Sequence, residues 1–241
     1  MCRGAAGNGS IYNGKYQGPS PEASLIGIKV LDKMGIGSLS TVISGIEWCI
    51  QNQSMLGIDI LSLSLDSLVT QQYAEDNPVI KAVEKAWDNG MIVCMAAGST
   101  DPFQGIISIP GISPKVITVR AISDNNTIDY SDDPVANFSG RSPTIDYLKK
   151  LDPVTLGENI TSPRFPIFPF DRAKSNGHVD TDNVSLSCTS MSTPICAGLA
   201  AQLLQNQPNL TPDQVKQQLI INICQNIGQS SNTLRKEKSN G

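Results

Sequence analysis

A helix built from small residues has to be buried, and that constrains this chain more than any other feature. The run Ile195-Cys196-Ala197-Gly198-Leu199-Ala200-Ala201 offers little side-chain bulk, so its backbone can pack deep against a sheet. The stretch opens with Thr189-Ser190-Met191-Ser192-Thr193-Pro194. A hydroxyl at that end of a helix meets the positive pole of the helix dipole, which favours the anion it becomes on losing its proton. By itself, a Ser/Thr-rich start followed by proline is a capping signal.

The rest of the chain supplies the sheet. Ala23 to Leu31 is mostly apolar and reads as a strand buried on both faces. A helix follows from about Ser38 to Gln51, then a strand from Ile58 to Leu65. Asn77-Pro78 opens a further helix with Ile80, Val83, Ala86 and Trp87 on its apolar face, and Gly90 ends it. Met91–Ala97 and Lys115–Ala121 read as two more strands. Alternation of this kind predicts an α/β fold, a mostly parallel sheet with helices on both faces. Residues 144–186 carry Pro153, Pro163, Pro166 and Pro169 and follow no clear period, so they read as irregular. Thr211-Pro212-Asp213 opens a last helix to about Cys224, and residues 225–241 read as a polar, disordered tail. Residues 1–224 are therefore expected to form one domain.

A net charge of −4 and the lack of a basic stripe argue against a nucleic-acid partner. No apolar run is long enough to span a bilayer, and no signal-peptide pattern follows Met1. The six cysteines form no CxxC pair and match no zinc spacing. They read as reduced thiols, and the chain as cytoplasmic.

The ordered motifs resemble the subtilisin-like serine proteases. Thr189–Pro194 resembles that family's Gly-Thr-Ser-Met-Ala-Thr-Pro, with Ser190 on the nucleophile. Pro19–Leu25 with Ile28–Leu31 resembles its "VAPxAxLxxxKVL", and Cys94–Gly98 its "VAAAGN". Gly45–Ile50 resembles its next helix, and Asn137-Phe138-Ser139 with Pro143-Thr144 its "FSSRGPT". The resemblance implies peptide-bond hydrolysis through Ser190, with peptide or protein as substrate. It places Ser64, Leu65 and Asp66, with Ala97 and Gly98, along the substrate. It also puts Ser99 at the oxyanion position, where the family has asparagine.

The family's histidine stands in "HGTHVAG", and Cys2-Arg3-Gly4 falls on the end of that motif. The resemblance thus implies a domain incomplete at its N-terminus, with the histidine and aspartate upstream of Met1. A separately encoded segment carrying both is one expectation, and an inactive chain is another. His178, the one histidine, reads as a solvated loop residue. Asp66, Arg120, Ser142 and Cys188 replace family glycines, each expected to disturb a turn or a substrate-lining surface. Pro153, inside the family's "KPDLVAPG" segment, is expected to interrupt a strand. Two other readings stay open: a pseudoprotease that keeps a peptide groove, and a decaying gene product. No metal or cofactor is expected. The Asn8–Tyr16 loop lies where many members bind calcium, and a plain polar loop explains it equally well.

Overall fold

The computed structural model describes residues 2–10, 13–65, 76–99, 107–125, 127, 133–140, 150, 152–164, 171 and 175–226. Four parallel strands form the main sheet, in the order β1-β2-β3-β4: β1 (Ile60–Leu63), β2 (Ile92–Ala96), β3 (Ile117–Ile122) and β4 (Val154–Leu156). Every residue of β2 is buried, as expected for a central strand of a parallel sheet. An antiparallel hairpin joins β5 (Ile160–Pro163) to β6 (Asn183–Leu186).

Helices pack around that sheet. The short α1 (Cys2–Ala6) precedes α2 (Leu39–Leu56) and α3 (Pro78–Asp88). Local signals bound both longer helices. Ser38 Oγ accepts from the Thr41 amide to start α2, and Gly57, at φ 64°, closes it. Asn77 caps α3 ahead of Pro78. The small-residue segment is α4 (Thr189–Asn206), which packs along all four sheet strands and against α1. Its Gly198 admits a close neighbour: a Cβ there would stand 2.5 Å from Pro19 Cγ and 2.9 Å from the Ala5 carbonyl oxygen. The last helix, α5 (Pro212–Asn226), starts with a reciprocal cap, Thr211 Oγ1 taking the Gln214 amide and Gln214 Oε1 the Thr211 amide.

Three expectations need correction. Residues 23–30 run without a strand partner among the described residues, and they are not buried. Leu25, Ile26 and Ile28 are 53%, 46% and 37% exposed. Their inner side rests on α2, where a Cβ on Gly45 would touch Ile28 and Val30. No described strand pairs with their outer side, so the apolar pattern is present and its burial among the described residues is not. The supposedly irregular 144–186 holds β4, β5, β6 and a 3₁₀ turn at Ser175–Gly177. Pro153 interrupts nothing there. It stands just ahead of β4, a position that strands tolerate, and its carbonyl accepts from the Arg120 amide at 3.2 Å. Residues 227–241, which hold most of the expected tail, lie outside the described residues.

Candidate functional site

Parallel strands end on the same side, and the chain places its candidate residues at those ends. Ser64 and Leu65 follow β1, and Ala97, Gly98 and Ser99 follow β2. Ser190 lies in the first turn of α4, which packs against both strands. The carboxyl ends of strands in an open α/β sheet are where ligands generally bind.

Ser190 and Ser64 make two contacts. Ser64 Oγ donates to the Ser190 carbonyl at 2.9 Å. Ser190 Oγ donates to the Ser64 carbonyl across a long 3.5 Å. The nucleophile candidate is half-buried, and its hydroxyl proton faces a main-chain acceptor that cannot remove it. The Ser190 amide, in the first turn, has no intrahelical partner and can face an anion.

Ser99 joins the start of α4 directly. Its Oγ accepts from the Thr189 amide at 2.9 Å and lies 3.0 Å from Thr189 Oγ1. Cys188, at the capping position, makes no side-chain cap, so Ser99 supplies one from 90 residues away. Thr189 was not picked out by sequence. It is 1% exposed, and only its nonlocal partner reveals its role.

Ala97 and Gly98 form a tightly tied wall. The Ala97 carbonyl accepts from Ser108, and the Gly98 carbonyl from Gly140. Gly98 has φ 98°, and a Cβ there would fall 2.1 Å from Ser108 Oγ, so glycine is required. Asp66 and Ser142 lie outside the described residues. Cys188 and Arg120 do not disturb the backbone as expected. Cys188 is fully extended at φ −172°, a conformation any residue adopts. Arg120 sits in regular β3 and reaches the Asp152 carbonyl with Nη2 at 3.2 Å.

His178 is not the solvated loop residue expected. Its Nε2 lies 3.1 Å from the Asp171 carbonyl and 3.3 Å from Asp171 Oδ1. Arg164 grips the same carboxylate through Nε and Nη2, both at 2.9 Å. That guanidinium holds the Asp171 carboxyl below its ordinary range, against the opposing effect of desolvation. The His178 backbone bridges to Val184 in β6. The imidazole's partner is Asp171, and the Ser190 hydroxyl's is the Ser64 carbonyl.

Asn8 Oδ1 accepts from the Ser10 amide at 3.1 Å, a local turn. No group of three or more His, Cys, Asp or Glu side chains able to hold a metal ion occurs among the described residues. No helix of the described residues is long and apolar enough to cross a membrane.

The profile of the subtilase family matches residues 2–239. Serine protease AprX of Bacillus subtilis (strain 168) is 46% identical over 223 residues, 90% of this chain and 50% of AprX. Subtilisin DY of Bacillus licheniformis is 31% identical over 215 residues, 88% of this chain and 65% of the relative. The solved structure of the S41 psychrophilic protease superposes with a TM-score of 0.71 at 26% identity, covering 90% of this chain and 66% of that one. The chain therefore spans about half to two thirds of the length of these relatives.

Proposed function

The chain belongs to the subtilase family, and on that premise we propose that it carries the nucleophile of a serine endopeptidase whose general base comes from outside these 241 residues. One observation carries this reading. Ser190 sits at the head of a buried helix above the ends of β1 and β2, while the chain's one histidine is held by Asp171 in the hairpin.

Ser190 Oγ attacks the peptide carbonyl once an imidazole takes its proton, and the acyl-enzyme is then hydrolysed. The oxyanion faces the Ser190 amide at the helix start. Ser99 is the second donor in this reading: its oxygen accepts from the Thr189 amide, and its proton is shared between the oxyanion and Thr189 Oγ1, 3.0 Å away. The substrate main chain runs past Ser64 and Leu65, beyond the end of β1. Ala97 and Gly98 form the facing wall. The exposed Leu25–Ile28 stretch and the edge of β1 are where a strand from outside the 241 residues, bearing the missing groups, would pair. Cys49, Cys94, Cys188 and Cys196 are free thiols, which supports work in a reducing, cytoplasmic setting.

Purified chain incubated with casein and with chromogenic peptides tests the proposal. No hydrolysis above buffer is expected, since loss of the histidine alone costs a subtilisin about 2 × 10⁶ in turnover. Hydrolysis abolished by Ser190→Ala would show that a base lies within the chain after all.

A further inference from the structure

Proline in a helix removes a donor, and here its position matters. Pro194 lies inside α4, four residues after Ser190. The helical bond that would run from the amide of residue 194 to the Ser190 carbonyl cannot form, because proline has no N–H. That carbonyl is nevertheless satisfied: Ser64 Oγ donates to it at 2.9 Å from the end of β1.

We infer that Ser64 is a positioning residue for Ser190, its hydroxyl standing in for the helical donor that Pro194 removes. This rests on the reading of Ser190 as nucleophile. An ordinary helix would draw the Ser190 carbonyl down its own axis. With that pull absent, the carbonyl is tied instead to the neighbouring strand end, in the layer where the Ser64 main chain also receives the Ser190 hydroxyl. The 2.9 Å bond holds the Ser190 backbone against Ser64, and the long 3.5 Å contact turns Ser190 Oγ toward the same residue. The role differs from lining the substrate, because it belongs to the Ser64 side chain and is complete without a ligand.

A double-mutant cycle in the full chain tests this with Ser64→Ala, Ser64→Thr and Pro194→Ala. Ser64→Ala alone is expected to lower the folding constant roughly three- to tenfold, the worth of one hydrogen bond. With alanine at 194, a new amide can take the Ser190 carbonyl, so the same Ser64→Ala change is expected to cost less than about twofold. Ser64→Thr keeps the hydroxyl and is expected to keep the bond. The amide at position 194 of the Pro194→Ala variant gives a second reading by hydrogen exchange. It is expected to be several-fold better protected when Ser64 is alanine than when Ser64 remains to compete. A purely packing role for Ser64 could not be rescued from residue 194. Equal costs in both backgrounds, with equal exchange at 194, would overturn the inference. Neither measurement requires Ser190 to react, so the result is independent of the proposed peptidase chemistry.

Discussion

Ser192 is a residue out of place in an otherwise well-satisfied layer. The family motif resembled at Thr189–Pro194 has alanine where this chain has Ser192. Its side chain is fully buried, and its Oγ has no hydrogen-bond partner. The neighbouring Gly157 leaves it little room, since a Cβ there would stand 2.1 Å away. A buried hydroxyl without a partner costs about 1–3 kcal/mol. Ser192→Ala is therefore expected to stabilise the chain by on the order of 1 kcal/mol, read as a rise in the denaturation midpoint. A fall would mean that the hydroxyl has a partner in solution. Lys150 makes the opposite case, a buried cation surrounded by acceptors. Its Nζ donates to the Gly111 and Ser113 carbonyls and to Thr118 Oγ1, and it pairs with Asp152 at 3.2 Å. Burial pushes its pKa down to about 8, with Asp152 pulling the other way. The unfolded chain keeps that proton to about 10.4, so between these values the unfolded state binds more protons and stability climbs with pH. The rise attributable to Lys150 is on the order of 3 kcal/mol, present above pH 10 and absent below pH 8. Denaturation of the wild type and of Lys150→Met across pH 7–10.5 isolates it as their difference; parallel curves would contradict it.

At the scale of elements, residues 23–30 and β1 form the weak side of the sheet. An extended segment without ladder bonds has little to slow its amide exchange, whereas β2 is buried and paired on both sides. Amides 24–30 are expected to exchange within seconds at neutral pH, and those of Ile92–Ala96 orders of magnitude more slowly. Comparable protection in both would show that the segment has found a partner strand. The contrast also shows what a sequence makes legible. The bounds of α3 were readable because Asn77 and Pro78 act within one turn of themselves. The apolar run at 23–31 was equally readable, but burial belongs to the neighbour across the sheet, and no residue in the run can report that neighbour. Strands β4 to β6 were missed because they are three or four residues long and sit among prolines. They are held by pairings such as Thr161 with Ser185 that no local pattern announces. At the candidate site, Ser190 was singled out by a contiguous motif, which local sequence can display. The Ser99–Thr189 cap joins residues far apart in the chain, and its geometry appears only once β2 and α4 are packed.

The whole molecule combines a well-packed centre with a set of exposed large apolar side chains. The main cluster runs from Ile46 and Cys49 of α2 through β2 to Cys196, Ala200, Val215 and Leu219. Met34, Ile36, Trp48 and Met55 are exposed, as are Leu25 and Ile26. Net stability of a domain is only about 5–15 kcal/mol, so this apolar exposure, with β1 at an open sheet edge among the described strands, is expected to leave the chain marginally stable and prone to associate. The central proposal concerns chemistry, however: Ser190 is the nucleophile, and among the described residues its hydroxyl bonds a main-chain carbonyl and no base. Fluorophosphonate labelling followed by mass spectrometry of the Ser190 peptide reads that claim directly. A serine hydroxyl without a base is a weak nucleophile, and a helix terminus contributes only about 0.3–1 kcal/mol at an exposed site. The account predicts no adduct at Ser190 in the folded chain. An adduct at Ser190 that disappears in His178→Ala would place the base in the hairpin and contradict it.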